Sequence, residues 1–465
     1  MTTHSSLIYH QHILQCWSKQ KDYWPIEVEK AEGCWIYTKD GRKIFDLRSA
    51  HECMNLGFNH PEILRAITDQ MAKVSYVTDD FATDITAQLA QKIVSLCPGS
   101  AHKKVWFGQS GAAAVEAALK VARMVSYARV MSADSQKNVS PKEKENSPYY
   151  PYPYKIISRY RSWHGSTMGA LSVSGDPRRW FSEPIVMPGI VHAPETYSYQ
   201  SVFDMDPDGL KAADYLLHMI EMEGGSDFVA AVLLEAVVGS NGIIPTPKAY
   251  MKKVAQYCKE KNILLIIDET MTGMGRTGSF LAIEEYDIEP DILIMGKALG
   301  AYIPNSCIVV SEEIASFFDD HVFGHGQSYS GHALAAAASL ASIKVLENDI
   351  LPELEVKSDY LKLGLEKLSS KFRHVGELRG KGMMWTMELV KDPVTRTNFR
   401  AFNQKYQETP IKELSRFLLE ECNVYTPTDK FGLWIVPPLV VSFEEIDWLL
   451  NQLDKGLEYF QEELV

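Results

Sequence analysis

The chain has 465 residues, of which 46% are hydrophobic and 23% charged, with a formal net charge of -13. That length implies two to three domains of ordinary globular composition. The acidic balance excludes a broad nucleic-acid footprint, and no apolar run is long enough to span a bilayer. The opening stretch, MTTHSSLIYHQHILQCWSKQ, lacks the basic and apolar regions of a secretory signal. The seven cysteines, Cys16, Cys34, Cys53, Cys97, Cys258, Cys307 and Cys422, are scattered and form no C-x-x-C pair. They predict reduced thiols in a cytoplasmic protein, and they speak against zinc.

In chain order, six short apolar runs read as strands: Lys104–Phe107, Lys155–Ser158, Ala230–Leu234, Ile263–Ile267, Asp291–Met295 and Cys307–Val310. Their near-continuous hydrophobicity is that of strands buried on both faces. Helical patterns at Ala112–Met124 and Tyr250–Lys261 lie between them. The alternation predicts an α/β fold with a mostly parallel sheet between helices. The last third changes character. Leu351–Phe372 reads as an amphipathic helix, Glu377–Val390 as a hairpin, and Phe443–Leu464 as a helix behind a Ser442/Glu445 capping box. This predicts a smaller α+β domain over 331–465, a large domain over 61–330, and an N-terminal segment, 1–60, that joins the small one.

Ser132–Tyr154 is polar and then rich in Pro and Tyr. It interrupts a helix-to-strand connection that is normally short. An exposed insertion is the plain reading, and a partner-docking loop the sharper one.

Four segments carry chemistry. Lys297 ends the run DILIMGKALG, where desolvation would free its amine as a nucleophile. Asp268 ends the strand in LLIIDETMTGMGRTG, at the carboxyl edge where α/β sheets bind ligands. VWFGQSGAAAVEAALKVAR turns through Gly108, Ser110 and Gly111 into a helix, a cup for a phosphate. Trp163 and His164 follow the strand in ISRYRSWHG, where an aromatic can stack on a planar ring. Each has a bland alternative: a loop lysine, a turn aspartate, a glycine turn or a core aromatic. Together they are the parts pyridoxal 5'-phosphate (PLP) chemistry needs: an amine for a Schiff base, a carboxylate for the ring nitrogen, a phosphate cup and a stacking ring.

On these segments, and on AEGCWIYTKDGRKIFDL, NLGFNHPEILRAITDQ, HGQSYSGHALAAAA and VPPLVVSFEEID, the chain resembles the class III (ω-type) aminotransferases of PLP fold type I. RYRSWHGSTMGALSVSGDPRRW looks most like taurine–pyruvate and other ω-amine–pyruvate transaminases. The resemblance implies that Lys297 holds PLP as a Schiff base and shuttles the proton. The enzyme would pass through pyridoxamine phosphate as an amine or ω-amino acid donor yields its amino group to an α-keto acid, pyruvate. Asp268 would pair with the ring nitrogen, Thr270 and Trp163 would cover the two ring faces, and His164 and Glu235 would lie near the cofactor. Ser110, Gly111 and Ala112 would hold the phosphate. Ser328 would reach the phosphate of a second subunit, which requires a homodimer.

Some positions depart from that pattern. Ala236 follows Glu235 where proline is usual, and Met271 stands where a polar residue often meets the ring hydroxyl. Asn423–Leu439 has Lys430 but no arginine to recognise a carboxylate. Lysine lacks the bidentate fork, so either Lys430 substitutes weakly or another arginine serves. Trp17, His51 and Glu52 are further candidates for the substrate pocket. His51 and Glu52 replace apolar or aromatic residues and predict contact with a polar or cationic donor, unless Glu52 is taken up by solvent or an internal ion pair. His321, His325 and His332 lie among glycines that disfavour a helix, so their spacing predicts no metal site. A decarboxylase, aminomutase or epimerase would carry the same motifs, and a non-catalytic binding module remains the alternative outside enzymes. A nicotinamide enzyme would need a G-x-G-x-x-G turn that the chain lacks.

Overall fold

The computed structural model describes residues 4–99, 102–136, 152–400, 402, 409–426 and 431–465. Seven strands build its central sheet: β1 (His102–Gly108), β2 (Lys155–Arg159), β3 (Ile190–Ala193), β4 (Val229–Leu234), β5 (Leu264–Asp268), β6 (Ile292–Met295) and β7 (Ser306–Ser311). Across the sheet the order is β1-β7-β6-β5-β4-β2-β3. Every neighbouring pair from β6 to β3 is parallel. β7 runs antiparallel to both β6 and β1.

The apolar runs are continuous because both faces of the sheet are covered. β4, β5, β6 and β7 are buried at every residue. Ala231, Leu233, Leu264 and Ile266 point to one face, where they pack with Ala114, Ala118, Val121 and Ala122 of helix α1 (Gly111–Gln136). Val232, Leu234, Leu265 and Ile267 point to the other, against Leu216 and Ile220 of helix α2 (Leu210–Met222) and Val254 and Cys258 of helix α3 (Lys248–Lys261). β3 carries no continuous apolar run; three of its four residues are only half-buried, as an edge position permits.

The two ends of the chain meet in a second sheet. Val28–Glu32, Trp35–Thr38 and Lys43–Asp46 form an antiparallel meander, and Val424–Tyr425 adds to it parallel to Lys43–Asp46. The expected hairpin forms from Val375–Lys381 and Met384–Asp392, and Gly432–Ile435 pairs with its second strand. The expected capping box is present: Glu445 N donates to Ser442 Oγ at 3.1 Å, and Ser442 N to Glu445 Oε2 at 3.0 Å. Of the insertion, 137–151 lies outside the described residues.

Candidate active site

The carboxyl ends of the parallel strands gather the polar residues. β5 ends at Asp268, buried to 4% exposure, and the chain turns at once through Glu269 and Thr270. Asp268 Oδ1 accepts the Thr270 N–H at 3.0 Å. Its Oδ2 accepts from His164 Nδ1 at 2.8 Å, so the carboxylate fixes which imidazole nitrogen carries the proton. His164 lies just beyond β2, beside Trp163, whose backbone N–H donates to Glu235 Oε1 at 3.0 Å. Burial pushes the Glu235 carboxyl up, and the Asp268 charge adds to this against the pull of His164 and the Trp163 N–H.

Thr270 ties three strand ends together. A Cβ on Gly111, at the start of α1, would lie 2.8 Å from Thr270 Cγ2, and one on Gly296, just before Lys297, would lie 3.2 Å from it. Only glycine allows the turn into α1, the carboxylate strand and the lysine strand to approach so closely. Gly165, with φ +137°, brings the Trp163 segment onto Ala112 in the same way. Ser110 Oγ accepts the Ala113 N–H at 3.2 Å and starts the helix whose first N–H groups face this cradle.

Lys297 has φ 48°, the left-handed region that L-residues rarely adopt. Its Nζ donates to Glu52 Oε2 at 2.6 Å. Glu52 is 1% exposed, and its Oε1 is 2.5 Å from Arg48 Nε. Burial by itself would raise the Glu52 carboxyl; Arg48 and Lys297 outweigh it and hold the pKa down at about 2. The internal ion pair is therefore the environment of Glu52, while His51 is exposed beside it. Trp163 takes the Arg178 guanidinium over its ring at 3.5 Å and meets Trp17 edge-on at 5.9 Å.

Not every expected residue joins this group. Ser328 is exposed, its carbonyl accepting from the Tyr76 hydroxyl. Lys430 lies outside the described residues. Met271 packs in an apolar cluster with Val237, Met384 and Trp434. Arg48 and Arg178 escaped the sequence reading; the doubled arginine of GDPRRW was the one available signal.

The sequence profile of the aminotransferase class-III family matches residues 16–457. The chain belongs to the class-III aminotransferases. It is 33% identical to an acetylornithine aminotransferase of Clostridium acetobutylicum, over 93% of this chain and 96% of that one. It is 32% identical to a putrescine–pyruvate aminotransferase of Pseudomonas aeruginosa, over 93% and 90%. Among solved structures, the taurine:2-oxoglutarate aminotransferase of Bifidobacterium kashiwanohense, in complex with PLP and glutamate, superposes with a TM-score of 0.89 at 32% identity, covering 99% of this chain and 98% of that one.

Class-III aminotransferases are PLP enzymes, and this aminotransferase has the fold type I architecture. Its residues fit the cofactor. Thr270 Oγ1 and His164 Nε2 are buried and have no hydrogen-bond partner among the described residues. The bare Gly111–Gly296 cradle beside Thr270, the helix N-terminus, the Asp268 carboxylate and the Lys297 amine are the donor set that a phosphorylated pyridine aldehyde requires.

Proposed function

We propose that this aminotransferase moves the amino group of an amine or ω-amino acid to an α-keto acid, pyruvate, with Lys297 and Asp268 as its catalytic residues. The observation that carries the reading is the convergence on Thr270 of the helix N-terminus, the Asp268–His164 pair and the Lys297 strand. PLP, when bound, supplies the sink for the electron pair left as the donor loses its proton. Lys297 Nζ would hold it as a Schiff base and, when free, would carry that proton as a general base. Asp268, oriented by the His164 N–H, holds the pyridine nitrogen protonated. Ser110, Gly111 and Ala112 hold the phosphate. Thr270 and Trp163 take the two ring faces, with Glu235 fixing the Trp163 backbone. Trp17, His51 and Glu52 would face the substrate, and Lys430 is the further candidate from the sequence.

Pyruvate as acceptor is supported by the RYRSWHGSTMGALSVSGDPRRW resemblance and by the putrescine–pyruvate relative. The exposed Ser328 fits a homodimer in which it reaches the partner's phosphate. The scattered free thiols favour a cytoplasmic setting, and among the described residues no helix is long and apolar enough to cross a membrane. A division into 1–60, 61–330 and 331–465 accords with the pairing of the two chain ends in one sheet.

The test is an absorbance spectrum of the protein with PLP beside its Lys297→Ala variant. A visible band that needs Lys297, bleached by one amine and restored by pyruvate, is expected. No band refutes PLP attachment. A band that no donor bleaches refutes amino transfer, and carbon dioxide release or isomerisation would then name the reaction.

A further inference from the structure

Ser49, Ala50, His51 and Glu52 have φ of 47°, 46°, 60° and 61°. Four consecutive L-residues in the left-handed region cost about 1–2 kcal/mol each, so strong contacts must hold them. Asp46 accepts the N–H groups of Arg48 and Ala50 at 3.0 and 2.7 Å. Ser49 Oγ donates to the Val436 carbonyl at 2.7 Å and accepts from Arg276 Nη2 at 3.1 Å. What this turn achieves is placement. It carries Glu52 inward between Lys297 and Arg48.

Arg48 is itself held on two sides. Glu52 Oε1 lies 2.5 Å from its Nε as an ion pair, and the guanidinium lies 3.8 Å above the centre of the Trp434 ring. Trp434 belongs to Asn423–Leu439, the segment that carries no arginine of its own. The other arginines around the site are spent. Arg178 forks Asp176 at 2.9 and 3.0 Å. Arg159 bonds to Thr246 and the Glu235 carbonyl, and Arg161 to Glu195 and the Asn241 carbonyl. Arg276 bonds to the carbonyls of Met383 and Pro437 and to Ser49 and Asn55. Arg48 differs, because its Nε, although 2.5 Å from Glu52 Oε1, makes no hydrogen bond among the described residues, and its side chain keeps 12% of its surface exposed.

We propose that Arg48 is the receptor for the carboxylate of the keto-acid substrate, presented by Glu52 and Trp434. The inference rests on the amino-transfer reading above. With Nε beside the Glu52 carboxylate, the Nη1–Nη2 edge is the fork that can give two parallel hydrogen bonds to a second carboxylate. Stacking on Trp434 sets the plane of that fork. The same Glu52 carboxylate bridges Arg48 to the Lys297 amine, which places the fork beside the lysine that carries the proton. The cluster sets Arg48, Lys297 and Arg276 against Glu52 and Asp46, three cations to two anions, which favours an incoming anion. An amine without a carboxylate makes no demand on the fork.

The test uses the PLP-loaded enzyme and its Arg48→Gln and Arg48→Lys variants. Propionate, an unreactive monocarboxylate, is titrated by the change in cofactor absorbance, and the two half-reactions are followed separately with putrescine and with pyruvate. Arg48→Gln is expected to weaken propionate binding and raise the pyruvate KM by roughly 30-fold, the loss of a charge-assisted pair. Arg48→Lys, which keeps the charge and loses the fork, should fall between, and decides the matter if the glutamine variant does not fold. The putrescine half-reaction should change far less than the pyruvate one. Unchanged propionate affinity in both variants, with a wild type that transfers normally, overturns the receptor alone. A wild type that binds propionate through Arg48 but accepts no amino group overturns amino transfer and leaves the receptor standing.

Discussion

Replacing Glu52 by Gln removes one carboxylate from between two cations while keeping its shape. The magnitude follows from its environment. A fully buried carboxyl whose pKa falls from 4.5 to about 2 on folding contributes roughly 3 kcal/mol to stability at neutral pH. The sign is that of a depressed acid: the contribution is whole above pH 4.5 and is lost as the pH falls through about 2. Glu52→Gln also leaves Arg48 and Lys297 repelling each other, although Lys297, with its side chain 25% exposed, recovers some hydration. The assay is urea unfolding of the apoprotein, followed by tryptophan fluorescence, for wild type and variant between pH 7.5 and 3.5. The variant should be less stable by about 2–3 kcal/mol at pH 7.5, with the gap level down to pH 4.5 and narrowing below it. Saturating PLP should shrink the gap at pH 7.5, because the cofactor takes Lys297 away from Glu52. Equal stability at pH 7.5, or a gap indifferent to acid, would refute the ion-pair reasoning.

Asp268→Asn should leave PLP bound but lower kcat by roughly 10²- to 10³-fold, read from single-turnover absorbance, because in the proposed function the group paired with the ring nitrogen loses its charge. Gly111→Ala places a Cβ 2.8 Å from Thr270 Cγ2, so the apoprotein should lose about 1–3 kcal/mol in urea unfolding and a PLP titration should show affinity at least tenfold weaker. Burial pushes Glu269 up to about 7, despite hydrogen bonds from Thr272, Ile283 and Ala282. A raised acid stabilises below its ordinary pKa of 4.5 and loses that contribution as the pH rises through about 7, so Glu269→Gln should flatten the fall in apoprotein melting temperature between pH 5 and 8.

The strands were legible because burial on both faces leaves no room for polar residues: Val229–Leu234 and Leu264–Asp268 announce themselves as apolar runs. β3 was not, since an edge strand of four residues has only half its surface to hide. Lys297, Asp268 and the glycine turn were readable from their places at strand ends. The Ser49–Glu52 turn was hidden, because nothing in SAHE marks a left-handed path; glycine and asparagine are the usual signs, and the turn exists only through Asp46, Arg276 and Val436. The Glu52–Lys297 pair joins residues 245 positions apart, which no local pattern encodes. His164 was expected near the cofactor, but its bond to Asp268 spans 104 positions and needed the sheet order to appear.

The pairing of Val424–Tyr425 with Lys43–Asp46 also sets an order in time. The strand leading into the Arg48–Glu52 turn gains its outer neighbour only when the chain is nearly complete, and Val436, which the turn also needs, comes later still. During synthesis the central sheet can assemble while its most strained neighbour waits, because contacts this distant in sequence form last. The lysine would thus be in place before its counter-ion. Pulsed hydrogen exchange during refolding should find the amides of Phe45 and Leu47, which donate to the Asn423 and Tyr425 carbonyls, protected after those of Leu264–Asp268.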